Sequence, residues 1–148
     1  MTRTEQKIKA RCVKNHQLRK LIGDEYFCTY LKMCLNAQDI DATSICNNLA
    51  LKGHLEGLKF ATDLDCPWNA QTLSNAIKSR NHTMVKYLID HDCPIDEMAL
   101  KEAFNIQDEE LALLALYNNM YWDAEDEEKA IAMKMTRVMK EMKIKSTN

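Results

Sequence analysis

The stretch LKFATDLDCPWNAQTLSNAI, Leu58 to Ile77, lies over VKYLIDHDCPIDEMALKEAF, Val85 to Phe104, at a constant offset of 27 residues. Lys59 meets Lys86, Asp63 meets Asp90, Asp65-Cys66-Pro67 meets Asp92-Cys93-Pro94, Leu73 meets Leu100 and Ala76 meets Ala103. Self-similarity at a fixed period marks a repeat architecture, in which each unit buries its apolar face only by stacking on the next. A further step of 27 puts Trp122-Asp123 over Ile95-Asp96 and Ala130 over Ala103, with Met120-Tyr121 in place of Cys-Pro. A step backwards puts Leu31-Lys32-Met33 under Leu58-Lys59-Phe60 and Cys46 under Leu73, with one residue of slack near Gln38 to Asp41, so an earlier, degenerate copy is expected.

Each copy reads as two short helices and two turns. Asn69, Asp96 and Asp123 follow a bulky apolar residue and precede a helix-compatible stretch, where their side chains can accept from the open N–H groups of a first turn. In that first helix Leu73, Ala76 and Ile77, or Leu100, Ala103 and Phe104, recur at the i, i+3, i+4 spacing of one buried stripe. The second helix carries Leu58, Phe60 and Ala61, or Met84, Val85, Leu88 and Ile89, with Lys59 or Lys86 outward. Pro67 and Pro94 lack an N–H and are expected to end it at Asp-Cys-Pro.

Composition agrees with this reading. A chain of 148 residues has the length of one domain, and 3 Gly with 2 Pro leave little punctuation for an all-β fold. A formal net charge of −2 gives no global positive field for nucleic acid. The longest apolar run noted, LALLAL from Leu111 to Leu116, is far short of the roughly 18 residues of a membrane span, and the charged N-terminus has no secretory core, so a cytoplasmic location is expected. Cysteines at 12, 28, 34, 46, 66 and 93 form no C-x-x-C pair and read as reduced, packed thiols.

The single domain, residues 1–148, divides into a basic capping region at 1–25, repeats over 26–122, and an amphipathic capping helix with a short tail at 123–148. From Arg3 to Lys20 the cations Arg3, Lys7, Lys9, Arg11, Lys14, Arg19 and Lys20 face Glu5 alone. At the other end acidic residues from Asp123 to Glu128 open a helix that finishes with Lys140, Lys143 and Lys145, the order that complements a helix dipole. Ile131, Met135, Val138 and Met142 make a Met-rich seam that either closes the stack or accepts a partner helix, self-association included.

ALKGHLEGLKFATDLDC, Ala50 to Cys66, resembles the ankyrin repeat, whose pattern reads A-x-x-G-H-x-E-V-V-K-L-L-L-x-x-G-A; Gly53, His54, Glu56 and Lys59 match it. The resemblance implies an all-α solenoid of stacked helix-turn-helix units, a Gly53 that closes the turn between helices, and a His54 that bonds neighbouring backbone. Arg80-Asn81 replaces Gly-His in the next copy, and Gln71-Thr72-Leu73-Ser74 replaces the family's T-P-L-H. The CPW turn resembles repeats of large DNA viruses and some protists, which would put the chain in a host-cell cytoplasm or a virion. The family's repeat has about 33 residues, so a period of 27 leaves no room for long β-hairpin fingers and moves recognition onto helix faces.

No constellation for catalysis stands out: glycines are scattered, and His91 beside Asp90 and Asp92 reads as a solvated helix end. Cys66 and Cys93 sit at equivalent positions rather than at metal-ligand spacing, so neither they nor His54, His82, His91, Cys28 and Cys34 are expected to hold a metal, and no cofactor is expected. Trp68, Ile95 and Trp122 share one position, either filling the space between repeats or forming a ridge. The expected function is a protein-binding scaffold whose partner meets the polar face of the first helices: Gln71, Asn75, Lys78, Glu97, Lys101, Glu102 and Asn105. The alternatives are a structural component docking through its terminal helices and nucleic-acid binding through the basic N-terminal segment, the latter unlike the chain's overall charge.

Overall fold

The computed structural model describes residues 16–17, 19–23, 43–63, 65–118 and 121–143. All regular structure among them is α-helical. The helices are α1 Ser44–Leu51, α2 Leu55–Asp63, α3 Ala70–Lys78, α4 His82–Asp90, α5 Glu97–Asn105, α6 Glu109–Asn118, α7 Ala124–Ala132 and α8 Thr136–Glu141. The starts of α3, α5 and α7 are 27 residues apart, as are those of α2, α4, α6 and α8. The period seen in the residues is therefore a period of the backbone.

Local chemistry sets these boundaries. Asn69 accepts from the N–H of Thr72, Asp96 from Met98 and Asp123 from Asp126, so all three expected caps form. The cap of α1 is the exception. Position 42, equivalent to Asn69, is Ala; the helix starts one residue late, after Thr43, whose side chain makes no cap bond.

Each turn inside a pair is closed by a left-handed residue, at Gly53, Arg80, Gln107 and Lys134, again 27 apart. The accompanying bonds are those of a Schellman stop: His54 N–H to Leu49 O, Asp108 N–H to Ala103 O and Met135 N–H to Ala130 O. The second helices end the same way. Asp65 and Asp92 are left-handed, and Cys66 and Cys93 donate their N–H groups to Ala61 O and Leu88 O. The prolines thus follow a stop that the two aspartates have already made.

Each odd-numbered helix packs on the next odd-numbered helix, and on the even-numbered helix that follows it in the chain; α6 also packs on α8, and α4 on α6. Leu73, Ala76, Ile77, Leu100, Ala103, Phe104, Leu58, Ala61, Met84, Val85 and Leu88 are buried, as the spacing predicts, while Phe60 and Ile89 of the expected second-helix stripe are only partly buried against the core. Each of the large buried ones contributes about 1.5–3 kcal/mol by leaving water. Ile22, in the helical residues 19–23, is buried in the same core. Residues 1–15 and 18 of the basic segment, Cys28, Cys34 and the earlier copy near Leu31 lie outside the described residues.

The expected C-terminal helix is corrected. Residues 124–141 form two helices broken by the left-handed Lys134, because this position falls on the period of the turn residues. Met135, Val138 and Met142 are buried and Ile131 is half exposed, so the four do not share one outward seam. Met135 and Met142 belong to the hydrophobic core.

Candidate interaction surface

Part of the polar face predicted for recognition is taken up by contacts between neighbouring helices. Asn75 and Glu102 are buried, contrary to expectation, because each lies where one odd-numbered helix meets another. Asn75 donates through Nδ2 to Asn47 O at 2.9 Å and accepts from Gln71 Nε2 at 2.8 Å. Glu102 takes Lys78 Nζ at 3.7 Å. Lys101 reaches Asp123 Oδ2 at 3.2 Å and Asp126 Oδ1 at 3.4 Å. Of the seven residues, Gln71, Lys78, Glu97 and Asn105 remain exposed.

One pair of positions changes its chemistry from junction to junction. Between α1 and α3, Asn47 Oδ1 accepts from the Thr72 hydroxyl. A step of 27 puts Ser74 and Ala99 there, both small and buried. A second step puts Lys101 and Asp126 there, a charge pair whose acid is buried. Thr72 and Asp126 also bond back to the N–H groups of Asn69 and Asp123, so each closes a cap and a junction together. The Asp123 hydrogen bond lifts the Lys101 ammonium above its ordinary value against the cost of burial. The Asp126 N–H and then Lys101 hold the Asp123 carboxyl below its own.

The turns between paired helices form a second column. His54 Nδ1 accepts from Gly57 N–H at 2.9 Å; a Cβ on Gly57 would stand 2.8 Å from that nitrogen, so glycine makes room for the ring. Asn81 Oδ1 accepts from Met84 N–H at 3.1 Å, while its Nδ2 donates to Gly53 O at 3.0 Å. Asp108 Oδ1 accepts from Leu111 N–H at 3.1 Å, and its other oxygen lies 2.7 Å from His82 Nε2. Burial alone would raise the Asp108 carboxyl, but the Leu111 N–H and the His82 ring hold it below its ordinary value. Met135, next in the column, has no side chain able to cap. Glu109 Oε1 takes its place, accepting from Arg137 N–H at 2.7 Å and Val138 N–H at 3.4 Å.

Among the described residues the cysteines, Cys46, Cys66 and Cys93, are buried and form no disulfide with one another. Cys46 and Cys93 donate their thiols to Cys66 O and Asn69 O, and burial pushes both up to about 12, so neither supplies a thiolate near neutral pH. Cys66 and Cys93 share burial and backbone bonding, as their equivalence requires. Among the described residues no cluster of His, Cys, Asp or Glu is arranged to hold a metal ion, and no helix is long and apolar enough to cross a membrane.

The opposite edge, where the even-numbered helices end, carries aromatic surface. Trp68, Ile95 and Trp122 are half-buried against the core, which divides them between the two roles considered for that column. Trp68 meets Tyr87 edge-on at 6.5 Å, Tyr87 lies 4.1 Å from the His91 ring, and Lys59 Nζ sits 5.3 Å over Tyr87. Trp122 is fixed by an Nε1 bond to Glu127. Tyr117 and Tyr121 are 62% and 81% exposed. In the sequence Tyr121 stands out only as part of the Met120-Tyr121 replacement of Cys-Pro and Tyr117 not at all, yet the offset of 27 aligns Tyr117 with Asp90 at an exposed helix end.

Two open cavities lie along this edge. One of about 270 Å³ is lined by Ile89, Asp92, Cys93, Pro94, Ile95 and Asn118. The other, of about 360 Å³, is lined by Leu116, Tyr117, Trp122, Glu141, Met142 and Lys143. Leu116 and Trp122 stand 27 residues beyond Ile89 and Ile95, so the cavities are the same feature in successive units. Searches of family profiles, curated proteins and solved structures return no match to this chain.

Proposed function

We propose that this chain is a short ankyrin-like solenoid that acts as a protein-binding scaffold and does no chemistry of its own. The observation that carries the reading is a pair of exposed tyrosines: Tyr117, which lines a groove with Trp122 and Leu116, and Tyr121, the chain neighbour of Trp122. Large aromatic side chains beside an open groove are the usual anchors of protein interfaces. The polar side chains support it from the other direction: Asp108, Glu109, Asp123 and Asp126 are engaged in caps and junctions, where they hold the units in register. The partner surface in this reading is the edge of the even-numbered helices rather than the face built from Asn75 and Glu102. Docking through the C-terminal methionines loses its support, because Met135 and Met142 are buried.

Affinity capture with mass spectrometry tests it. Tyr117→Ser with Tyr121→Ser is expected to release proteins that wild type and a Glu97→Ala, Asn105→Ala control both retain. A captured set unchanged by the tyrosine variant and depleted by the control would overturn the assignment of this edge.

A further inference from the structure

Resting on the scaffold reading, we infer that the edge groove takes an extended basic peptide, in the polyproline II conformation, whose apolar side chains recur every third residue. The spacing comes from the repetition. The two cavities belong to successive units, one where α4 meets α6 and the other where α6 meets α8. Packed helices lie about 8–10 Å apart, and a polyproline II strand advances about 9 Å over three residues. A side chain in the Ile89 and Ile95 cavity therefore leaves its third neighbour at the Leu116 and Trp122 cavity. Aromatic-lined grooves suit this conformation, which costs little ordering entropy on binding.

Charge selects the sign of the residues between. Asp63, Asp65, Asp90 and Asp92 are exposed along the same edge, and among the described residues none is in an ion pair. Asp63 and Asp90 end α2 and α4, and Asp65 and Asp92 follow two residues later. A helix C-terminus already carries partial negative charge, so carboxylates there repel it and cations are favoured. Asp92 lines the first cavity and Glu141 the second, beside Lys143 at the far end of the row. The edge is apolar at its floor and acidic at its rim, complementary to Lys or Arg between apolar anchors.

Fluorescence anisotropy on the full chain tests the inference with labelled peptides of equal length: (Lys-Pro-Leu)4, (Glu-Pro-Leu)4 and the four-residue-period (Lys-Pro-Gly-Leu)3. The first is expected to bind saturably, and the other two at least about tenfold more weakly. Asp90→Asn with Asp92→Asn should weaken the first peptide at least about threefold, since Asn tolerates the left-handed backbone at position 92 and the exchange removes only charge. Glu125→Gln with Glu128→Gln, exposed acids elsewhere, should leave it unchanged. Equal binding of the three-residue and four-residue periods, equal loss from both variants, or no binding at about 1 mM would each overturn the peptide inference. Those outcomes leave the scaffold reading to the tyrosine capture test.

Discussion

The helices α2, α4 and α6 carry their own N-terminal caps, whereas α8 borrows one. His54, Asn81 and Asp108 each accept a backbone N–H from their own helix, while Met135 cannot and Glu109 of the preceding unit accepts two. The difference separates two kinds of stability. A self-capped helix draws on its neighbours for apolar cover, but a helix capped from outside also depends on them for its first hydrogen bonds.

The largest expected change follows Asn81→Ala, which removes the α4 cap and the bond to Gly53 O together. We expect a loss of about 2 kcal/mol, read as a lower urea midpoint at constant slope. An unchanged midpoint would mean that the column of turns holds nothing. Glu109→Ala should cost about 1 kcal/mol and act at a distance along the chain. Hydrogen exchange should quicken at the amides of Arg137 and Val138 and stay constant in α4; uniform quickening would erase the distinction between own and borrowed caps.

Acid provides a smaller and reversible version. The Asp108 carboxyl is held below its ordinary value, so its contribution is full above about pH 3.9, the unfolded carboxyl value, and is lost as pH falls through the folded one. Asp108→Asn should flatten that part of the stability–pH curve; a curve of unchanged shape would exclude Asp108 as its source. The smallest effect is expected at the left-handed turn residues. Glycine relieves about 1–2 kcal/mol of backbone cost and forfeits about 0.5–1 in the unfolded chain. Arg80→Gly, Gln107→Gly or Lys134→Gly should each therefore stabilise by about 0.5 kcal/mol, read from thermal midpoints. A fall at all three would contradict the strain.

The caps at Asn69, Asp96 and Asp123 and the buried stripes were legible because each depends on residues within one helix turn of one another. The break at Lys134 was not, since Met133-Lys134-Met135 contains no Gly, Pro or Asn, and only the period places a turn there. The burial of Asn75 and Glu102 was not legible for a related reason. Asn75, Lys101 and Glu102 look solvated on an isolated helix; their partners Asn47, Asp126 and Lys78 are 24 to 28 residues away. Cross-unit bonds of this kind leave no trace in local periodicity.

The three chemistries at one junction position also act as an address. If the chain collapsed one unit out of step, Asp126 would face Ser74 and lose its cation in a dry setting, a penalty of several kcal/mol. Equivalent slabs in a tandem array invite such slippage, and domain-swapped dimers with it. By giving each seam a different lock, this chain makes its units alike in shape and yet not interchangeable in order.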